Sequence, residues 1–282
     1  DLLDHAPNAK LQAVPPPADF SGTLRPYQQR GLEWLAFLHR LGIGACLADD
    51  MGLGKTVQLI ALLLHEREAE QRRHEDQGNP SLSPTLLFAP TSVVGNWTRE
   101  LERFAPSLKV LVHHGPERSS GDAFVAAARQ HDIVITSYAL AHRDLDDIKR
   151  VSWRRLALDE AQKIKNPAAA SSVAIRSLIA PHRVALTGTP IENHLSELWS
   201  IMELLNPGLL GTAADFRERF SDPNEKLQDA SRAQQLFHDL EPVDLRQLRP
   251  VLVLPGMRQE RRLFFSVIIL AIFARLHCRI GQ

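Results

Sequence analysis

The stretch that decides the fold is "LADDMGLGKTVQ", residues 47–58, which joins a short apolar segment to a helical pattern. The preceding segment "GACLA", residues 44–48, is typical of a buried strand, and the pattern after Lys55 predicts a helix to about residue 65. A glycine-rich turn between a strand and a helix is the setting that a phosphate-binding loop needs. Gly52 and Gly54 would let the backbone wrap around phosphate groups without a clash from Cβ.

Two further residues of this loop supply chemistry for phosphate binding. Lys55 would neutralise the β and γ oxygens of a nucleotide, and Thr56 would offer its hydroxyl to a magnesium ion. The strict pattern G-x-x-x-x-G-K-[ST] requires a glycine where Asp49 stands, so the loop departs from it there. From these residues alone, the alternative is a glycine turn followed by a surface lysine.

A second candidate site follows about a hundred residues later, in "RLALDEAQ", residues 155–162. The apolar start predicts a strand, and two acids follow at its carboxyl end. Asp159 could hold the magnesium ion, and Glu160 could position and deprotonate an attacking water. Two acids after a strand also occur in purely structural roles, but their combination with an upstream phosphate loop favours a nucleotide-hydrolysing site.

The rest of the chain repeats the alternation of strand and helix. The predicted strands are "TLLFA", "KVLVH", "DIVIT", "RLAL" and "RVAL", residues 85–89, 109–113, 132–136, 155–158 and 183–186. Helices are predicted at residues 26–40, 55–65, 94–104 and 122–129. Short, unbroken apolar strands are typical of a parallel sheet that is covered on both faces. The pattern therefore predicts a three-layer α/β fold, with a ligand at the carboxyl ends of the strands.

Composition sets outer bounds on the function. The 282 residues, 44% of them hydrophobic and 23% charged, suffice for one large or two modest domains. Basic and acidic residues balance at 33 each, so nucleic acid would have to bind a local surface. Cys46 and Cys278 match no zinc spacing and are typical of a protein in a reducing cytoplasm. The expected location is therefore the cytoplasm, with association to the nucleoid if the source is bacterial. The apolar residues 263–274 are too few to span a bilayer, so no membrane partner is expected.

Six blocks of the chain together resemble the Swi/Snf-type ATPases of helicase superfamily two. In chain order they are "LRPYQQRGLEWL", "LADDMGLGKTVQ", "LLFAPTSVVGNWTRELERF", "DIVITSYAL", "LDEAQKIKNP" and "ALTGTPIENHLSELWSIMELLNPGLLG". In that family an aspartate routinely replaces the first loop glycine, so Asp49 supports the resemblance. The resemblance implies a RecA-like P-loop NTPase domain with a mainly parallel central sheet, which uses ATP and Mg²⁺. It also implies ATP-driven translocation along duplex DNA, often against a DNA-bound protein.

The resemblance also implies roles at the nucleotide site. Gln28 resembles the adenine-reading glutamine, with Arg25 and Tyr27 beside it, although an exposed polar helix start would look the same. The implied phosphate-loop contacts are Asp50, Met51, Gly52, Leu53, Gly54, Lys55 and Thr56. Thr56 and Asp159 are the implied metal ligands, and the implied catalytic residues are Lys55, Asp159, Glu160 and Gln162.

Gln162 occupies a position where many relatives carry histidine. The block "TGTP" is similar to the family's coupling block, which senses the γ-phosphate, and its implied coupling residues are Thr187, Gly188 and Thr189. The resemblance makes Gln162 the expected bridge toward this block.

Two blocks that follow strands resemble the family's DNA-contacting blocks. The first contributes Pro90, Thr91, Asn96 and Trp97, and the second contributes Thr136 and Ser137. Hydroxyls and backbone N–H groups beyond strand ends can hold phosphates without reading bases. Trp97 could equally be a core residue.

The expected domain organisation follows from the extent of the resemblance. Residues 1–23 are predicted to be an N-terminal linker, 24–211 the first RecA-like lobe, 212–250 a helical extension and 251–282 a divergent tail. In the family a second lobe supplies arginines to the site, so such a lobe is expected to be required in cis or in trans. The alternatives are a catalytically incompetent nucleotide- or DNA-binding fragment, and an RNA helicase or another P-loop NTPase.

Overall fold

The computed structural model describes residues 13–49, 52–73, 83–188 and 195–217. The chain divides into two compact units, and residues 13–188 form one of them. Residues 195–217 belong to the other, where α8 (Leu195–Leu205) and α9 (Ala213–Phe216) lie. No helix within these described ranges is both long enough and apolar enough to span a membrane.

The larger unit is built on a six-stranded sheet in which every pairing is parallel. The strands are β1 (Ala45–Leu47), β2 (Thr85–Ala89), β3 (Val110–His113), β4 (Ile133–Ser137), β5 (Arg155–Asp159) and β6 (His182–Leu186). Their order across the sheet is β1-β6-β5-β2-β4-β3. Because all strands run the same way, their carboxyl ends meet at one edge of the sheet.

Seven α-helices connect or precede these strands in the described part of the unit. They are α1 (Pro26–Arg40), α2 (Lys55–Arg73), α3 (Thr91–Phe104), α4 (Gly121–Arg129), α5 (Tyr138–Arg143), α6 (Leu145–Lys149) and α7 (Ala170–Arg176). A short 3-10 helix, Ala161–Ile164, follows β5. Every residue of β2 and β4 is buried, so both faces of the central sheet are covered, as their unbroken apolar runs predict. The predicted three-layer α/β fold is confirmed.

The start of the larger unit differs from the prediction. Phe20 stacks on Phe104 with ring centroids 5.6 Å apart, and the Ser21 amide donates to the Phe104 carbonyl at 2.9 Å. Val14 is buried as well. The predicted linker is therefore wrong for residues 13–23, because Phe20 packs on α3, Val14 is buried, and the Gln29 side chain of α1 donates to the Val14 carbonyl. The predicted end of the lobe, residue 211, lies in the second unit, and residues 218–282 lie outside the described part of the chain.

A buried ionic cluster joins four elements at the amino ends of the strands. Arg155, the first residue of β5, is 1% exposed, and its guanidinium donates to both carboxylate oxygens of Glu66 on α2. The same guanidinium contacts Nδ1 of His39 at 3.1 Å, and the His39 ring lies against His182 of β6, 3.8 Å between centroids. The cluster therefore fixes α1 and α2 against β5 and β6 at the edge opposite to the strand carboxyl ends.

These histidines predict that acid weakens the fold. Burial, together with the charges of Arg155 and Arg154, lowers the pKa of both His39 and His182 to about 4, although Glu66 acts in the opposite direction. Above pH 6.5, the ordinary pKa of histidine in the unfolded chain, both rings are neutral in the folded and in the unfolded state. Between pH 6.5 and about 4 the unfolded chain binds protons at these rings while the folded chain keeps them neutral, so the free energy of unfolding decreases as the pH falls. We expect the urea midpoint to fall as the pH drops from 6.5 toward 4, and to fall less in His39→Gln/His182→Gln. An equal fall in both proteins would contradict this assignment.

Candidate nucleotide site

The loop between β1 and α2 has the backbone that phosphate binding needs. Gly52 and Gly54 take φ values of +83° and +75°, a left-handed region that side chains with a Cβ disfavour. A Cβ added to Gly54 would also lie 2.4 Å from Nε2 of Gln28. The 19-residue helix α2 starts at Lys55, so its first N–H groups and its positive dipole end face the loop.

Lys55 lies with its charged end at this loop. Its side chain is mostly buried, and Nζ donates to the backbone carbonyl of Asp49 at 3.0 Å. Thr56 is half-buried beside it at the start of α2. Asp50 and Met51, which the sequence assigned to the same loop, lie outside the described residues. The described part of the loop presents a cation, a hydroxyl and helix-end N–H groups together.

The unusual Asp49 has a structural partner that the sequence did not reveal. Its carboxylate accepts a hydrogen bond from Nε2 of Gln58, one turn into α2, at 2.9 Å. Gln58 is fully buried, and its Oε1 lies where a Cβ on Gly31 of α1 would be, only 1.7 Å away. Gly31 is therefore a notch in α1 that admits the Gln58 amide, and the amide supports the loop through Asp49.

Gly31→Ala is expected to weaken nucleotide binding several-fold, because the added methyl displaces Gln58 from Asp49. Gly95→Ala is the matched control: it is also a helical glycine, but an added Cβ there meets no atom within 4 Å. Alanine should raise helix stability at Gly95 by up to about 1 kcal/mol and leave binding unchanged. Titration with a fluorescent ATP analogue measures the affinities, and equal affinities in the two variants would contradict the notch.

Gln28 connects α1 to the phosphate loop. Its Oε1 accepts from the Arg25 amide at 2.9 Å, and its Nε2 donates to the Leu53 carbonyl at 3.3 Å. Gln28 is buried, Tyr27 is half-buried and Arg25 is exposed. The structure thus brings the predicted adenine-side glutamine to the loop and rules out the alternative of an exposed polar helix start for this side chain.

The two acids stand at the carboxyl end of β5, as predicted. Oδ1 of Asp159 accepts from the Glu160 amide at 3.0 Å, and Oδ2 accepts from the Trp97 indole at 2.8 Å. Burial raises the pKa of the Asp159 carboxyl, while the Trp97 hydrogen bond and the charge of Lys55 act in the opposite direction. Lys55 at the start of α2 and Asp159 at the end of β5 thus stand at the same edge of the sheet, where the lysine charge favours the ionised carboxylate.

Glu160 adopts an uncommon backbone conformation. Its φ is +51°, and no other non-glycine residue in the described part of the chain has a positive φ. Such strain costs about 1 to 3 kcal/mol and often marks a functional site. Here it turns the chain from β5 into the 3-10 helix.

Gln162 joins the acids to the strand beside them. Its Nε2 donates to Oε2 of Glu160 at 2.7 Å, and its Oε1 accepts from the Thr187 hydroxyl at 2.8 Å. The Thr187 amide in turn donates to the Leu47 carbonyl at the end of β1, at 3.1 Å. The expected bridge between Glu160 and the "TGTP" block is thus a hydrogen-bonded chain. Gly188 follows Thr187 directly, and Thr189 lies outside the described residues.

The residues predicted to contact DNA divide into two groups. Thr91 and Asn96 are exposed, and Pro90 is partly exposed at the start of α3. Trp97, Thr136 and Ser137 are at most 2% exposed. The prediction of a DNA contact through these three side chains is therefore wrong, because a buried side chain cannot touch a duplex, whereas a phosphate contact through the backbone N–H groups that follow β2 and β4 stays a prediction. For Trp97 the core alternative is the one that the structure supports.

A parallel sheet with a glycine phosphate loop after β1 and two acids after β5 defines a P-loop NTPase of RecA-like fold. The profile of the SNF2-related domain matches residues 27–261. The chain belongs to this family, and its relatives are helicase-like ATPases of the Swi/Snf group.

Several relatives carry names that describe their action. The chain is 47% identical over 247 residues to YwqA of Bacillus subtilis, whose name describes an ATP-dependent helicase/translocase; the match covers 88% of the chain and 26% of YwqA. It is 39% identical to the TATA-binding protein-associated factor mot1 of Schizosaccharomyces pombe, over 79% of the chain and 11% of mot1. The chain therefore spans about a quarter or less of these relatives.

A solved structure shares the fold. The SWI2/SNF2 ATPase core of Sulfolobus solfataricus in complex with double-stranded DNA has a TM-score of 0.65 and 39% identity to this chain, and the match covers 84% of the chain and 44% of that core.

Proposed function

We propose that this chain is the ATP-binding first lobe of a DNA-stimulated ATPase that translocates along duplex DNA and remodels protein–DNA complexes. The observation that carries the proposal is geometric: the phosphate loop with Lys55, after β1, and the acids at the end of β5 stand at the same carboxyl edge of the parallel sheet, although about a hundred residues separate them in the chain. The mot1 name and the DNA-bound Sulfolobus core support the choice of duplex DNA and of a DNA-bound protein as partners.

The residues present fit a magnesium–ATP ligand. The loop N–H groups and the Lys55 ammonium would bind the phosphates, and Thr56 and Asp159 would hold Mg²⁺. Bound there, the ion would neutralise charge that develops on the phosphates. Glu160 would orient a water and accept its proton, while Gln162 holds the Glu160 carboxylate toward Thr187.

A second lobe is part of the proposal, since the chain spans only 44% of the Sulfolobus core. Arginines supplied by such a lobe would be worth about a thousandfold or more in rate. DNA contacts through Thr91 and Asn96 would be made to phosphates, so binding should be insensitive to sequence and weaken strongly with salt. The cytoplasmic location stays a prediction.

Hydrolysis assays test the proposal. The full chain is assayed with and without short duplex DNA, and with a second RecA-like lobe added as a separate polypeptide. We expect duplex DNA to stimulate turnover, and Glu160→Gln to reduce it by about a hundredfold to ten-thousandfold at unchanged ATP affinity. Glu102→Gln, an exposed position on α3, should match the unaltered chain.

The alternatives predict different outcomes of the same assays. ATP affinity without turnover in any combination would identify a nucleotide-binding fragment that lacks catalysis. Stronger stimulation by RNA than by duplex DNA would point to an RNA helicase. Either result would overturn the proposal of a DNA translocase.

A further inference from the structure

The end of β5 is held from two sides by buried aromatic donors. The Trp97 indole N–H donates to Oδ2 of Asp159 at 2.8 Å, and the Tyr138 hydroxyl donates to the backbone carbonyl of the same residue at 2.7 Å. Trp97 is 1% exposed and Tyr138 is 9% exposed. The side chain and the main chain of Asp159 are thus each fixed by a side chain from another element.

Trp97 belongs to the helix that carries the proposed DNA contacts Thr91 and Asn96. Trp97 follows the exposed Asn96 directly in the chain, on the 14-residue helix α3 that starts at Thr91. Val94, Trp97 and Leu101 form the buried face of that helix, while Thr91 and Asn96 are exposed. A rigid helix carries a displacement at Thr91 to the indole of Trp97.

The second donor has a similar position on the neighbouring strand. Tyr138 is the first residue of α5 and directly follows Ser137, the last residue of β4. Its ring also lies against Phe88 of β2, 6.2 Å between centroids. Trp97 of the first block that was predicted to contact DNA, and Tyr138 directly after the second, therefore each donate a hydrogen bond to Asp159.

We propose that Trp97 and Tyr138 are positioning residues that couple duplex DNA, bound at the start of α3 and at the backbone that follows β4, to the orientation of the Asp159 carboxylate. With Oδ1 held by the Glu160 amide and Oδ2 by Trp97, these bonds decide which lone pairs remain for a metal ion. DNA that shifts either element changes the Mg²⁺ requirement of nucleotide binding. The inference rests on the proposed function, because it needs both ligands.

Binding measurements on the full chain test the coupling without turnover. Binding of a fluorescent ATP analogue is titrated with Mg²⁺, with and without short duplex DNA, for the unaltered chain, Trp97→Phe and Tyr138→Phe. Each variant removes one donor and keeps an aromatic ring. We expect the Mg²⁺ concentration for half-saturation to rise about tenfold in Trp97→Phe, and the effect of DNA on that concentration to be reduced in both variants. By linkage, the effect of Mg²⁺–nucleotide on DNA affinity should shrink by the same factor.

Trp153→Phe is the matched control. Its indole N–H donates to the Ile148 carbonyl at 2.8 Å, and Trp153 is 4% exposed, so the variant loses a comparable buried bond near the amino end of β5. It should lose thermal stability but keep the Mg²⁺ requirement and the DNA effect within about twofold of the unaltered chain.

The outcomes separate the inference from the function on which it rests. Equal changes in Trp97→Phe and Trp153→Phe, or a DNA effect that persists in both Trp97→Phe and Tyr138→Phe, would overturn the inference alone. If DNA does not change the Mg²⁺ requirement of the unaltered chain, the inference is overturned. If the unaltered chain binds no Mg²⁺–nucleotide, both the inference and the proposed ATP site are overturned.

Discussion

Replacing Lys55 by alanine is expected to weaken Mg²⁺-dependent ATP binding by about ten- to a hundredfold. The Lys55 ammonium lies at the phosphate loop, where its Nζ is 3.0 Å from the Asp49 carbonyl. Hydrogen bonds to charged groups contribute about 1.5 to 3 kcal/mol each, which corresponds to that range of affinities. Isothermal titration calorimetry with ATP and Mg²⁺ measures the change.

Lys149→Ala provides the comparison for this loss. Lys149 is exposed at the end of α6, so its removal changes the net charge equally and leaves the loop intact. We expect its ATP affinity to equal that of the unaltered chain. If Lys55→Ala also kept full affinity, the loop between β1 and α2 would not be a nucleotide site.

Glu66→Gln is expected to lower the free energy of unfolding by about 3 to 5 kcal/mol. Burial would raise the pKa of the Glu66 carboxyl, but the paired charge of Arg155 outweighs it and holds the pKa at about 2. The amide cannot neutralise the Arg155 guanidinium, which is 1% exposed and would be left as an uncompensated buried charge. Urea unfolding followed by circular dichroism measures the change.

Glu70→Gln tests whether burial is the cause. Glu70 lies one turn further along α2 and pairs with Arg73, whose side chain is 72% exposed. Glu70 itself is 20% exposed, but because its partner is mostly hydrated the pair should contribute at most about 1 kcal/mol, so this variant should be near the unaltered chain in stability. A loss in Glu66→Gln no larger than that in Glu70→Gln would show that the cluster does not stabilise the fold.

The strands could be predicted because burial on both faces leaves a simple mark in the sequence. Each strand of a covered parallel sheet is a short apolar run, and all six runs became strands within a residue or two of the predicted bounds. The end of α2 could not be predicted, since the helix continues to Arg73 through the charged stretch that begins at Glu66. Burial of Glu66 depends on Arg155, a partner 89 residues away that local patterns do not reveal.

The order of the strands also lay beyond local patterns. β6 is inserted between β1 and β5, an arrangement set by long crossover connections. The placement of Lys55 and Asp159 at one edge of the sheet was nevertheless predictable, because ligands of such sheets bind at the carboxyl edge whatever the strand order. The rule that ligands bind at the carboxyl ends of parallel strands was therefore enough to locate the candidate site without the strand order.

Candidate site residues could be predicted where they belong to a sequence motif whose residue types indicate its chemistry. Gly31 and Gln58 were missed because their role arises from contact between two helices, although a glycine and a glutamine inside apolar helical runs are a signal of close packing. The block that contains Trp97 follows β2 and so predicted a position near the carboxyl edge of the sheet, but it did not indicate whether the side chain faces solvent or the core. Its spacing of three and four residues from Val94 and Leu101 marks one face of α3, and this would have indicated burial.

The most direct test of the account is a crystal structure of the chain with Mg²⁺ and a non-hydrolysable ATP analogue. We expect the Lys55 ammonium to contact the terminal phosphates, and the Thr56 hydroxyl and the Asp159 carboxylate to lie at the same metal ion. A nucleotide bound elsewhere, or one that contacts Lys55 while its metal ion lies away from Asp159, would contradict it.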